Sequence, residues 1–381
     1  MKSNPFRNAI VCLAILLLPA VARAAGGTSH FTGPAAAFEG INPDGLSTLS
    51  VTLGANGKFT GKLNVAFLKD YPFTGTLGVT GSFTGKIGHT SNTYQIVVTG
   101  STPSTYVLTG SAEGKVITAF PAVYSKTKPA TSAIKYTTLF TGTNFSSSVP
   151  LGSSFATVNI SKTGAGSVTG KLADGTSFSS SGILVAGSNG QELIVFDPHL
   201  YGKKGLLSGV LFFATETFAI SEAIEGPHPN IGYPVGSVHG TLLWQKEPHK
   251  GPYYAFGINT NLNAQGFLYN KAAGVPFTSG TMALDDASFS APILQDFTAT
   301  TAGVVTFTGS NSHNIKVTIK IATGAVFGSF EPVAGAKPTV KFKGLLIQYP
   351  VGAFVSGYFL SPVVDGVGLS GYVTFPTTPM L

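Results

Sequence analysis

Apolar and polar side chains alternate with a period of two over most of the chain. Leu49, Val51 and Leu53 point one way with Ser50 and Thr52 between them, and Ala156, Val158 and Ile160 do the same around Thr157 and Asn159. Ile315, Val317, Ile319 and Ile321 alternate with Lys316, Thr318 and Lys320, the cleanest half-buried strand pattern in the sequence. Its lysines also guard it against edge-to-edge pairing. Each run meets a glycine turn, at residues 54–57, 164–166 and at Gly324. Glycine takes the positive φ of tight hairpins at low steric cost. No segment sustains a 3.6-residue period; the best helical stretch is residues 218–224, stopped by Gly226-Pro227.

A strand-turn-strand phrase recurs. Val51-Thr52-Leu53 leads to Phe59-Thr60-Gly61-Lys62-Leu63, and Val158-Asn159-Ile160 leads to Val168-Thr169-Gly170-Lys171-Leu172. A worn third copy joins Val317-Thr318-Ile319 to Val326-Phe327-Gly328-Ser329-Phe330. Later Leu207-Ser208-Gly209 is matched by Leu369-Ser370-Gly371. Repetition at this scale marks stacking of one small unit. Glycine inside the strands permits sharp coiling. The pattern therefore predicts an all-β protein: antiparallel, Gly-rich meanders forming small barrels or strongly curved sandwiches, internally repeated. Pro-rich breaks at residues 121–131 and 247–252 divide it into units 25–134, 135–250 and 251–381.

Residues 1–24 read as a secretory signal peptide. Lys2 and Arg7 precede an apolar run from Ala9 to Val21, followed by Ala22-Arg23-Ala24. Its removal would take Lys2, Arg7 and Arg23 and no acid, leaving 20 basic against 16 acidic residues and lowering the net charge from +7 to +4. It would also take the single cysteine, Cys12. The expected product is an exported protein without disulfides, held by burial and sheet hydrogen bonds. It would be secreted or at the cell surface, with the periplasm as the other compartment. The mild basic balance favours anionic surfaces or glycans over nucleic acid. Strands this short and broken argue against an integral outer-membrane barrel.

Catalytic patterns are sparse. The Gly-Lys pairs at 61–62, 85–86 and 170–171 are followed by Leu or Ile within strands, unlike a phosphate loop. Ala186-Gly187-Ser188-Asn189-Gly190 lacks the first glycine of a nucleophile elbow. Asp197, Glu216, Glu222, Glu225, Asp285 and Asp286 are the carboxylates a hydrolase would draw on. Glu222, Glu225 and His228, and separately Asp197-Pro198-His199, match no metal-ligand spacing. No metal or cofactor is expected. The ligand-binding candidates are aromatic: Trp244, Tyr253, Tyr254 and Phe256 cluster around the second break and could stack on sugar rings. The competing reading places Trp244 in the core.

Several phrases together resemble an uncharacterised secreted β-rich module of Verrucomicrobia and related bacteria. They are Gly170-Lys171-Leu172-Ala173-Asp174-Gly175-Thr176-Ser177-Phe178-Ser179, Leu200-Tyr201-Gly202-Lys203-Lys204-Gly205-Leu206-Leu207-Ser208-Gly209, Gly240-Thr241-Leu242-Leu243-Trp244, and Phe342-Lys343-Gly344-Leu345-Leu346-Ile347-Gln348 with Gly357-Tyr358-Phe359-Leu360. The resemblance spans residues 46–375 and implies export and β architecture; it supplies no catalytic residue. The expectation is a non-enzymatic β-repeat protein, structural or adhesive, with glycans or cell-envelope components as partners. A glycan-binding protein and a carboxylate-dependent hydrolase are the alternatives.

Overall fold

The computed structural model describes residues 35–68, 70–86, 93–100, 106–112, 115–143, 148–188, 190–214, 235–285, 289–335, 337–350 and 352–376. The helical stretch at 218–224 lies outside them, as do Glu216, Glu222, Glu225, His228 and Asp286.

Three antiparallel, nearly closed sheets make three barrels. The first contains β1 (Ala36–Ile41), β2 (Ser47–Leu53), β3 (Lys58–Val65) and β4 (Tyr71–Thr76), then β5 (Ser82–Lys86), β6 (Thr93–Thr99), β7 (Val107–Ala112) and β8 (Lys115–Pro121). The second contains β9 (Ile134–Gly142), β10 (Ser154–Ile160), β11 (Ala165–Lys171), β12 (Ser177–Ile183) and β13 (Val185–Gly187). It continues with β14 (Gly190–His199), a helical turn α1 (Leu200–Lys203), β15 (Gly205–Phe213), β16 (Ser237–Lys246) and β17 (Ile258–Leu268). The third contains β18 (Ser279–Asp285), β19 (Ile293–Ala299), β20 (Val305–Phe307) and β21 (Lys316–Lys320), then β22 (Ala325–Phe330), β23 (Val340–Tyr349), β24 (Gly352–Leu360) and β25 (Ser370–Phe375).

All three share one plan. Strands follow one another as a meander, and the last pairs with the first: β8 with β1, β17 with β9, β25 with β18. Each barrel keeps one seam where the meander skips, between β4 and β5, β12 and β13, and β20 and β21. The alternation explains the closure. In β17, Ile258, Thr260, Leu262 and Ala264 are buried while Asn259, Asn261, Asn263 and Gln265 are exposed. Apolar rows fill the interiors and polar rows face out, the inverse of a lipid-facing barrel.

The second barrel reaches Leu268, past the expected boundary at 250. Residues 247–257 connect β16 to β17 within one sheet and are not a linker between units. Proline and glycine mark a tight connection as readily as a domain border. The repeated phrases also need sorting. The β2–β3 and β10–β11 hairpins hold equivalent places, but β21–β22 sits on the far side of its seam.

The barrels stand in a row. The first docks at the seam of the second: Val123 N–H donates to Leu184 O at 2.9 Å, and Ile183 N–H donates to the Glu39 carboxylate at 2.7 Å. The third docks on the wall across from that seam, where Leu139 of β9 packs with Leu345 and Ile347 of β23.

Candidate functional site

The three seams are sealed differently. Phe59, Phe73, Phe83 and Tyr94 fill the first, with ring centroids 4.6 to 6.2 Å apart. At the third, the Gly303 backbone lies against Ile319 of β21 and Ile321 just past its end. The second is bridged by polar side chains. Phe196 N–H of β14 donates to Ser180 Oγ at 2.9 Å, and Ser179 N–H of β12 donates to Asp197 Oδ2 at 3.1 Å. The first barrel covers this seam at 182–185. Toward residues 176–181 it opens into a groove of about 430 Å³.

Alternation makes the groove polar. Phe178 and Ser180 turn inward, so Ser177, Ser179 and Ser181 face out opposite Asp197 and His199. Both oxygens of Asp197 accept from backbone, since His199 N–H also donates to its Oδ1 at 3.1 Å. The groove is thus lined by hydroxyl groups with freedom to donate or accept, and by a carboxylate that braces the two strands.

Tyr201 closes one end of the groove. Its backbone is left-handed (φ 53°), as is that of Gly202 and Lys203. Two non-glycine residues in that region are strained and persist only where neighbours over-determine them. Here the neighbours are visible. Tyr201 Oη donates to Asp174 Oδ2 at 2.7 Å and accepts from Trp244 Nε1 at 3.1 Å. Lys246 Nζ lies 3.1 Å from Asp174 Oδ2 and 4.8 Å from the Tyr201 ring centroid. Thr176 N–H donates to Asp174 Oδ1 at 3.0 Å. Burial, and then the Asp174 charge, push the Tyr201 hydroxyl far above its ordinary range, so it remains a donor. The same two causes raise Tyr358, which approaches from the third barrel.

The aromatic candidates do not form one platform. Trp244 is 1% exposed, in the core and bonded to Tyr201. Tyr254 is buried and accepts Ser370 N–H at 2.8 Å; Tyr253 donates to Ser361 O at 2.8 Å. Both tyrosines thus tie the second barrel to the third. Phe256 alone is free, at 97% exposure.

The carboxylates are also kept apart: Asp197 lies in the seam, whereas Asp285 is in the third barrel with Tyr372 Oη 3.4 Å away. Among the described residues no three His, Cys, Asp or Glu converge as a metal site, and no helix is long and apolar enough to cross a membrane.

Sequence reasoning passed over Asp174, Tyr201, Lys246 and the outward serines. Part of their signal lay in phrases read only for likeness: residues 170–179 and 200–209 supply Thr176, Ser177, Ser179, Leu200 and Tyr201 of the groove, and 240–244 ends at Trp244. No family model, curated protein or solved structure matches the chain.

Proposed function

We propose that this is an exported, non-enzymatic binding protein, adhesive at the cell surface or envelope, whose middle barrel holds a glycan in its seam groove. The carrying observation is the groove itself: outward serines on one strand facing Asp197 and His199 on the next, with Tyr201 held in a strained backbone at its end. Fixed hydroxyl and backbone groups suit a ligand that is itself a row of hydroxyls. A binding role is favoured over hydrolysis because Asp197 is the only acid among the residues that line the groove. Glycoside hydrolysis ordinarily draws on a pair of carboxylates flanking the scissile bond. Export follows from the signal read at residues 1–24, and the resemblance to secreted β modules points the same way.

The test is binding to neutral and acidic glycans on an array with three proteins. Ser179→Trp fills the groove from an exposed position and is expected to lower affinity by about tenfold or more. Phe256→Ala is expected to bind as wild type. Loss in Phe256→Ala with retention in Ser179→Trp would move the site to the aromatic loop. Silence of the wild type on every glycan would overturn the proposal.

A further inference from the structure

The outer face of the third barrel carries a row of lysines that nothing so far employs. Register puts them side by side. Lys316 of β21 and Lys341 of β23 flank Ser329 of β22; one step along, Thr318, Phe327 and Lys343 lie in line; Lys320 follows, its ammonium 5.1 Å from the Phe327 ring centroid. Lys316, Lys320 and Lys341 are exposed, and Phe327 is an exposed apolar ring among them. Flanking lysines two strands apart are about 10 Å from each other, and successive rows about 7 Å.

The row continues across the barrel junction. Lys343 pairs with Tyr358, whose ring stacks on Phe155 of the second barrel at 6.1 Å, and Phe155 pairs with Lys171. Lys171 in turn donates to Ser177 Oγ at 2.7 Å, and Ser177 lines the groove. Burial, and secondarily the Lys343 charge, hold the Lys171 ammonium below its ordinary value, consistent with two cations facing each other.

Among the described residues none of these five ammonium groups has a carboxylate within salt-bridge distance. Glu331 stands past the end of β22 and accepts from Asn314 Nδ2 at 2.7 Å. Guarding an open strand edge accounts for Lys316 and Lys320, since β21 borders the seam. It does not account for Lys341, Lys343 and Lys171 on interior strands.

We infer that the lysine face of the third barrel and the groove of the second form one track for an acidic polysaccharide, its sulfate or carboxylate groups on Lys316, Lys341, Lys343 and Lys171 and its hydroxyls on the groove serines. This rests on the groove reading for its second-barrel end. A stretch of cations that leads into a stretch of hydroxyls matches a chain whose sugars carry both acidic groups and hydroxyls. A flat bilayer would touch the curved lysine face but not the groove, and duplex DNA would engage the cations without using the serines.

The experiment titrates the full protein with dextran sulfate, dextran and a duplex DNA of matched charge. Wild type is expected to bind dextran sulfate at least about tenfold tighter than dextran, an advantage abolished near 0.5 M salt. The triple variant Lys316→Gln/Lys341→Gln/Lys343→Gln, with an unchanged circular dichroism spectrum, is expected to lose that advantage. Equal binding of dextran and dextran sulfate, or a triple variant that binds as wild type, overturns the inference while dextran binding keeps the groove reading. DNA binding as tightly as dextran sulfate overturns the assignment to sugars. Sulfate binding lost in the triple variant but intact in Ser179→Trp upholds the lysine face and removes the groove from it.

Discussion

Lys246 and Asp174 show what a buried charge demands of its surroundings. Their side chains are 6% and 1% exposed, and Asp174 satisfies both oxygens through Thr176, Tyr201 and Lys246. Breaking one partner strands the other: Lys246→Met should cost about 3–5 kcal/mol in denaturant unfolding, and adding Asp174→Asn should restore part of it. Tyr201→Phe leaves the Trp244 N–H without its acceptor and should cost about 1–3 kcal/mol. Glu39 is a half-buried acid with a different logic. It has no cation beside it in the described structure; burial lifts its carboxyl from the ordinary 4.5 to about 7, against the Ile183 hydrogen bond. The folded state therefore holds the proton more tightly than the unfolded chain does. Its contribution is fully present below pH 4.5, declines as pH rises to about 7 and is gone above that, a span of about 3 kcal/mol. Glu39→Gln should flatten unfolding free energy over that window and raise it at pH 8. These networks were invisible in sequence because Asp174 and Lys246 are 72 residues apart and meet only when the barrel closes.

At the scale of strands, alternation was readable and position was not. The run around Ile315 to Ile321 buries Ile315 and Ile319, half-buries Ile321 and exposes its lysines as its period required. Yet any hairpin in a meander needs strand, glycine and strand, so likeness between hairpins does not locate them. The more telling likeness is Lys204-Gly205-Leu206-Leu207 with Lys343-Gly344-Leu345-Leu346, which run into β15 and β23, each two strands before the closing one. Glycine there has a measurable cause. Gly344 pairs with Gly357, and a Cβ on Gly357 would sit 2.0 Å from Lys343 O. Gly357→Ala must push β23 from β24 and should cost about 3 kcal/mol or more in thermal unfolding. Gly202→Ala meets open space and suffers only its positive φ, so about 1 kcal/mol is expected.

Over the whole molecule, the three cores are separate and the junctions between them are small and mixed. Ile347 is 1% exposed against Leu139, with Ser153 N–H donating to Gly357 O at 3.0 Å nearby. Ile347→Asp should undock the third barrel without melting it. Small-angle scattering would show a larger radius of gyration, and protease would gain access to residues 269–278, while the strand signal in circular dichroism persists. Division into three units was legible from repetition, but the second boundary was not, because a proline-rich connection between neighbouring strands looks the same as a tether. The pairing of first and last strands has a mechanical corollary. Phe38 lies opposite Pro121, Tyr136 opposite Leu268, and Ala283 opposite Thr374, so the chain reaches and leaves each barrel at the same rim. Tension on the two ends of a barrel would load those ladders crosswise, parting their hydrogen bonds one after another instead of all together. A tether made this way yields at low force and lengthens stepwise, one barrel at a time.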